Sequence, residues 1–124
     1  MEEKQFLAVS APMVRYSKLA FRQLVKRHGV DLAYTPMIMA DSFLASAAAR
    51  HQELPILHTP QDGYSHQDIV QFAANDPQIF AEAAKVVAPY CAGVDLNCGC
   101  PQRWAIQEGV GSALLRNHQL VYDL

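Results

Sequence analysis

The sequence predicts an α/β fold with parallel strands. Short apolar runs alternate with stretches that have helical spacing, the first run is apolar on both faces, and each run ends in a proline or a polar residue. Strands that alternate with helices imply right-handed crossovers, which bring the C-terminal ends of the strands to one edge of the sheet. Residues that end different strands are therefore expected to lie close together.

The first strand–helix unit is predicted at the start of the chain. Residues 6–14 form an apolar strand, and Pro12 marks its end because proline cannot donate to the ladder. Ser17 is a plausible N-cap for a helix over residues 18–28. The inner stripe of that helix is predicted to contain Phe21, Leu24, Val25 and His28.

The second unit covers residues 31–50. A strand over residues 31–39 carries Pro36 near its end, and Asp41 is expected to cap a helix that runs to Arg50. Residues 54–67 have no periodicity and contain turn residues, so we predict a loop there, with Ile56 and Leu57 as candidates for a short edge strand.

The third unit contains a polar residue in an apolar strand. Residues 68–74 are predicted as a strand, and Gln71 within it must find hydrogen bonds or cost free energy. Asp76 followed by proline is a strong helix start, and the helix is expected to reach Pro89. Its inner face is predicted to consist of Phe80, Ala83, Ala84 and Val87.

The fourth strand, residues 94–96, ends in the most distinctive stretch of the chain. Side chains alternate along a strand, so Asp95 and Asn97 share one face, while Leu96 and Cys98 share the other. Pro101 restricts the preceding residue, Cys100, to extended geometry. Cys100 is thus held in a defined place, as an acid, base or nucleophile requires. Two glycines are then predicted in a loop, and a last helix over residues 120–124.

The composition of the 124 residues is that of a globular domain, with 51% apolar and 18% charged residues. A net charge of −2 argues against a generally basic nucleic-acid-coating protein, although a local basic patch is compatible with it. Three cysteines without zinc spacing, and histidines without ligand spacing, indicate free thiols and no metal site. The sequence has no apolar run long enough to cross a bilayer and no secretory signal at its start, so we expect a soluble cytoplasmic or nuclear protein.

Four segments together resemble the eukaryotic branch of the flavin-dependent tRNA-dihydrouridine synthases. They are APMVR at residues 11–15, YTPM at 34–37, VQFAAND at 70–76 and NCGCPQRW at 97–104. Their order and spacing match that family along nearly the whole chain. The resemblance implies the N-terminal half, about four strand–helix units, of a TIM (β/α)8 barrel, with the C-terminal half of the barrel and the RNA-binding domain absent from residues 1–124.

The resemblance also implies a reaction. In that family FMN, reduced by NADPH or NADH, reduces the 5,6 double bond of a uridine in tRNA. Cys100 would be the general acid, and Asn97 would hold the uracil. Arg103 would lie near the tRNA. Four residues would contact the flavin, the first three through packing and backbone groups: Pro12, Met13, Val14 and Gln71.

Alternatives stay open for most of these residues. Gln71 could be a satisfied core amide, Asn97 a cap of its turn, and Arg103 a solvated surface charge. Cys91 and Cys98 are expected to pack in the core. For the whole chain the alternatives are a flavin barrel acting on free pyrimidines, or a non-catalytic remnant that binds RNA or a partner. Exposed half-barrel edges would favour self-association.

Overall fold

The computed structural model describes residues 6–57, with side chains up to residue 52, and residues 68–124. These residues form parallel strands and helices in an alternating order, and the predicted α/β class is confirmed. The strands are β1 Val9–Ser10, β2 Leu32–Tyr34, β3 Ile38–Met39, β4 Asp68–Ala73 and β5 Gly93–Leu96; the helices are α1 Leu19–Arg27, α2 Ala40–Ala45, α3 Ala47–Leu57, α4 Pro77–Val87, α5 Arg103–Gln107 and α6 His118–Asp123. Two 3-10 helices, Ala88–Tyr90 and Gly111–Arg116, complete the described elements.

Strand β4 is at the centre of the sheet. It pairs in parallel with β2 and β3 on one side and with β5 on the other, and β1 pairs with β2. The sequence predicted one strand over residues 31–39, whereas the structure has two, β2 and β3, separated by Thr35–Pro36–Met37. Thr35 links the ladder across this break, because its N–H donates to Ile69 O at 2.9 Å and its hydroxyl accepts from Gln71 N at 3.1 Å.

The main core lies between the sheet and helices α2 and α4. The Phe72 ring of β4 contacts Phe43 of α2 and Phe80 of α4, with ring centroids 5.4 and 6.4 Å apart. Such tilted aromatic pairs contribute roughly 0.5–1.5 kcal/mol beyond their buried area. Val70 and Ala74 belong to the same cluster, so alternation along β4 places Gln71 on the opposite face of the strand.

Helix α1 buries two cationic residues, and the apolar stripe predicted for it is wrong at Leu24 and His28, whereas Phe21 and Val25 are half-buried. Arg22 and Lys26, one turn apart, are buried and both form ion pairs with the buried carboxylate of Asp68 at the start of β4. Leu24 is 53% exposed and His28 is also exposed. Because a buried carboxylate is stable only when paired, α1 turns these two cations towards the start of β4.

The start of the chain also differs from its prediction. The strand predicted over residues 6–14 is limited to the two residues of β1, which pairs only with β2 among the described strands. Ser17 does not cap α1; Lys18 is at the N-cap and makes no side-chain cap. The buried Ser17 hydroxyl instead accepts from Met13 N at 2.8 Å and donates to Ala11 O at 3.1 Å, which holds the turn after β1.

Other boundaries shift in the middle and at the end of the chain. The helix predicted to start at Asp41 is broken at Ser46 into α2 and α3, and Asp41 lies in the first turn of α2 rather than at its cap. Helix α3 reaches Leu57, so the loop predicted from residue 54 is wrong over residues 54–57, and so is the edge strand predicted at Ile56 and Leu57. The rest of that predicted loop, residues 58–67, lies outside the described part. Helix α5 was not predicted, and α6 begins two residues before its predicted start.

Strand β4, strand β5 and helix α4 were predicted almost to the residue. Asp76 caps α4, since its carboxylate accepts from Gln78 N at 2.9 Å and from Ile79 N at 3.1 Å, and Pro77 follows as the first helical residue. These segments carry strong local signals, which their tertiary contacts reinforce. Within the described ranges, no helix is both long and apolar enough to span a bilayer.

Candidate active site

A polar network joins the C-terminal halves of β4 and β5. The register places Gln71 opposite Asp95, and Gln71 Nε2 donates to Asp95 Oδ2 at 2.7 Å. Asn97, just past the end of β5, continues the pairing through its N–H, which donates to Phe72 O at 2.8 Å. Its side-chain Nδ2 donates to Gln71 Oε1 at 3.0 Å. Gln71, which is 6% exposed, is therefore satisfied from both ends of its amide.

Asn97 also fixes the turn that leads to Cys100. Its Oδ1 accepts from Gly99 N at 3.1 Å and from Cys100 N at 2.9 Å. One side chain thus caps the turn through its oxygen and joins the network through its nitrogen. The capping role that the sequence left open is present, and the orientation of Cys100 is coupled to Gln71 through a single residue.

Cys100 lies on the same face of the sheet as this network. It is half-buried and packs against a small cluster that includes Ala73, Ala105 and Val110. Ala73 is two residues beyond Gln71 on β4, so both point to the same side. The Cys100 carbonyl accepts from Ser112 N at 3.0 Å. The thiol is free, and its main chain is held at both its N–H and its C=O.

The other two cysteines, Cys91 and Cys98, have raised pKa values. Burial raises the pKa of Cys98, and the Asp95 carboxylate raises it further. Burial also raises the pKa of Cys91, with a smaller contribution from the Asp68 carboxylate, against the lowering effect of a hydrogen bond from the Gly93 backbone. Because the thiolate is the reactive form of cysteine, both side chains are poor nucleophiles near neutral pH. Cys91 packs against the main core, as predicted.

The segment with Pro12, Met13 and Val14 forms the turn that follows β1. Met13 N–H donates to Ser17 Oγ, and Met13 O accepts from Tyr16 N at 3.1 Å and Ser17 N at 2.9 Å. The backbone polar groups of Met13 are therefore already used within the turn. Its side chain is 38% exposed, and that of Val14 is 57% exposed.

Arg103 is exposed and begins helix α5, three residues after Cys100. It was predicted to lie near a nucleic acid, and its exposure is compatible both with that role and with a solvated surface charge. The next residue, Trp104, is 44% exposed.

A cleft of about 80 Å³ adjoins this region at the end of β4. Asn75 contributes to its wall and donates through Nδ2 to Glu108 O at 2.8 Å. Asp41 and Glu108 also line it. Among the residues that the structure describes, no three His, Cys, Asp or Glu side chains are grouped so that they could hold a metal ion.

The polar groups of Gln71 and the apolar surface after β1 are compatible with a flavin ring, which presents an apolar face and a polar edge. Gln71 uses one N–H of Nε2 and one lone pair of Oε1 within the network, and each atom has a second hydrogen-bonding position. The side chains of Met13 and Val14 supply exposed apolar surface after β1.

Sequence reasoning missed the part that Asp95 plays. It placed Asp95 on the face of Asn97 but gave it no partner, whereas the structure makes it the hydrogen-bond acceptor of Gln71. The available signal was the position of Asp95 between Val94 and Leu96, because a polar residue in an apolar strand needs a hydrogen-bond partner, as Gln71 does. The register between β4 and β5 was the missing information.

Comparison with known proteins agrees with these features. The family model described as Dihydrouridine synthase (Dus) matches residues 9–124. A human tRNA-dihydrouridine(20a/20b) synthase (NAD(P)+)-like protein is 52% identical over 120 residues, which cover 97% of this chain and 36% of the human protein. The tRNA-dihydrouridine(20a/20b) synthase (NAD(P)+) of Schizosaccharomyces pombe is 46% identical over 121 residues, which cover 98% of this chain and 35% of the yeast protein.

A rat tRNA-dihydrouridine(16/17) synthase (NAD(P)(+))-like protein is 43% identical over 113 residues, which cover 91% of this chain and 25% of the rat protein. The chain thus spans about a third or less of the length of these curated relatives. The family match includes β1, the central strand β4 and the turn that holds Cys100, and the parallel β/α order is that of the N-terminal half of a TIM barrel. The chain belongs to the dihydrouridine synthase family.

Proposed function

We propose that this chain supplies part of an FMN-dependent active site that reduces the 5,6 double bond of a uridine in tRNA with NADPH or NADH, and that Cys100 is its proton donor. The observation that carries the proposal is the placement of the Cys100 thiol on the Gln71–Asp95–Asn97 face, at the C-terminal ends of β4 and β5. The names of the relatives support tRNA as substrate and NAD(P)H as reductant.

Cys100 suits the role of general acid by its placement. Asn97 Oδ1 and Ser112 N hold its main chain from two directions, so the thiol is positioned before substrate arrives. A flavin held at this site would supply a hydride to C6 of the uracil, and Cys100 would supply the proton to C5. Together these account for the two hydrogens that saturate the double bond. The target base must leave its stack to reach the thiol.

Some of the remaining predicted site residues would contact the cofactor, and the others would contact the substrate. Gln71 would bond the polar edge of the flavin through its second N–H and lone pair, since its first ones are used by Asp95 and Asn97. Pro12, Met13 and Val14 would pack against the ring, with Met13 contributing its side chain because its backbone groups are used in the turn. Arg103 contacts the tRNA, where guanidinium binds phosphate or a base edge. Asn97 Nδ2, which bonds only Gln71 among the described residues, has a second N–H for the uracil.

The function is tested in a chimera, in which residues 9–124 replace the matching segment of the human relative. The chimera is expected to bind FMN and to form dihydrouridine in tRNA, measured by nucleoside mass spectrometry. Cys100→Ala should keep the flavin absorbance and lose roughly 10²–10⁴-fold in rate, the usual contribution of a general acid. Cys98→Ala, which changes the neighbouring thiol, is the matched control and should keep most of the activity.

Two results would overturn the proposal. Normal dihydrouridine formation by the Cys100→Ala chimera would reject the acid role. A colourless, inactive wild-type chimera would reject the flavin site and favour a non-catalytic chain that binds RNA or a partner. Reduction of free uracil or uridine, with tRNA unchanged, would favour an enzyme of free pyrimidines.

We also propose that the isolated chain self-associates through its exposed apolar surface near β1. Phe6, Leu7 and Tyr16 are 71%, 69% and 70% exposed, which is unusual for large apolar side chains in one short segment. Sedimentation of the 124-residue chain should show species larger than a monomer, and a purely monomeric chain at micromolar concentration would contradict this. A tRNA-modifying role favours a cytoplasmic or nuclear location.

A further inference from the structure

The 3-10 helix that follows α5 begins directly against Cys100. Its first residue, Gly111, is buried and has φ +64°, in the left-handed region that glycine adopts at low cost. A Cβ added to Gly111 would lie 2.7 Å from Cys100 O, 2.9 Å from Cys100 Cβ and 3.4 Å from Cys100 Cα. Nothing bulkier than hydrogen fits between residue 111 and the main chain of Cys100.

The next residue holds the same carbonyl by a hydrogen bond. Ser112 N donates to Cys100 O at 3.0 Å, so this turn contacts Cys100 both sterically and through its backbone. Val110, on the other side of Gly111, is buried in the small cluster against which Cys100 packs. Three consecutive residues of one turn therefore define the position of one cysteine.

We infer that the turn Val110–Gly111–Ser112 is a positioning element for Cys100, and that Gly111 is required there because any side chain would displace the thiol from its reacting position. The inference rests on the proposed function, since it assigns the turn a purpose only if Cys100 is the proton donor. The atoms in contact are a carbonyl oxygen, a Cα and a Cβ rather than the end of a flexible side chain. When Gly111 is enlarged, Cys100 and the turn must therefore shift apart.

Gly109 provides a matched control. It also has a positive φ, +73°, so alanine there carries a similar backbone cost. The nearest atom to its added Cβ is Asn75 Nδ2 at 3.3 Å, the end of an exposed side chain that can move. Gly109→Ala thus repeats the backbone strain of Gly111→Ala without the clash with Cys100.

The first experiment measures the rate of Cys100 alkylation by iodoacetamide in the 124-residue chain, relative to Cys91 in the same molecule, by mass spectrometry. Gly111→Ala should raise this ratio roughly threefold or more, because the clash moves Cys100 away from the turn that partly covers it. Gly109→Ala should leave the ratio unchanged. An unchanged ratio in Gly111→Ala, or an equal change in both variants, would overturn the inference.

The second experiment measures catalysis in the chimera with the human relative. Gly111→Ala should lower kcat about 10- to 100-fold, with KM for tRNA within about twofold, because misplacement of a reacting group by up to 1 Å affects the chemical step more than binding. Gly109→Ala should retain both constants. A KM effect without a kcat effect would overturn the positioning role. An inactive wild-type chimera would reject the proposed function, whereas the alkylation ratio tests the positioning by itself.

Ser112 provides a second probe should Gly111→Ala fail to fold. Ser112→Pro removes the N–H that Cys100 O accepts, at an early helical position that tolerates proline. Ser112→Ala keeps this N–H and removes only the hydroxyl. The alkylation ratio should rise in Ser112→Pro and stay at its wild-type value in Ser112→Ala, and equal ratios in the two variants would overturn the inference.

Discussion

Gln71→Glu places a carboxylate beside another carboxylate in a buried site. Gln71 Nε2 lies 2.7 Å from Asp95 Oδ2, and Gln71 is 6% exposed. Two ionised carboxylates at this distance would repel by about 6 kcal/mol at an effective dielectric constant of ~20. The variant avoids this repulsion by holding one shared proton between the two side chains.

The proton makes the stability of the variant depend on pH. The unfolded chain releases it above the ordinary glutamate pKa of about 4.3, and retaining it in the folded state costs ~1.4 kcal/mol for each pH unit above that value. Relative to wild type, the free energy of unfolding of Gln71→Glu should therefore be about 3–4 kcal/mol lower at pH 7, and less than ~1 kcal/mol lower at pH 4.5. Stability is lost as pH rises, because the folded state binds more protons than the unfolded state.

Urea unfolding of the chain at pH 4.5 and pH 7, followed by circular dichroism, measures this difference. Gln71→Met is the control: it has a similar length and no charge, and it should lose roughly 1–3 kcal/mol by about the same amount at both pH values. If the stability difference between Gln71→Glu and wild type is the same at pH 4.5 and pH 7, the side chains of Gln71 and Asp95 are not in contact, and the network is wrong.

Three further outcomes are expected. Asp68→Asn leaves the two buried cations of α1 with no carboxylate at this position and should destabilise the chain by roughly 3–5 kcal/mol in urea unfolding, whereas replacing all three charged residues by apolar ones of similar size should cost far less. Asp76→Ala removes the cap of α4 and should lower the free energy of unfolding by about 0.5–2 kcal/mol in the same assay. Asp41→Ala is the control and should cost less, because the Asp41 carboxylate bonds only the adjacent residue among those described. Equal losses in the two variants would contradict the cap assignment. Asp95→Asn removes the charge that raises the pKa of Cys98, so more thiolate is present at a given pH and alkylation of Cys98 at pH 8 should be faster; a slower rate would reverse the assigned effect of Asp95.

Local signals in the sequence were sufficient for the centre of the fold. The Asp76–Pro77 start of α4 and the apolar runs of β4 and β5 are determined by residues close to one another in the chain, and all three lie where they were predicted. The motif around Cys100 was also recognisable, because glycine and proline restrict the backbone through their own covalent structure.

Long-range contacts decided the features that the sequence misassigned. Ser17 has the chemistry of a helix cap, yet it binds the turn after β1. Arg22 and Lys26 have the composition of a solvated face, yet they are buried because Asp68, more than forty residues later, needs cations. Propensity describes what a residue does with its neighbours in sequence, and these residues respond to partners that only folding brings near.

The sequence by itself determined the parallel α/β class and the family, and it predicted Cys100 as the reactive cysteine. Only the tertiary structure decided that Gln71 binds Asp95 and Asn97, and that Gly111 lies against Cys100. The physical reason is that strand register and the close approach of two backbones are set by the packing of the whole sheet and its helices. The distances between residues that are far apart in the sequence therefore cannot be read from the sequence alone.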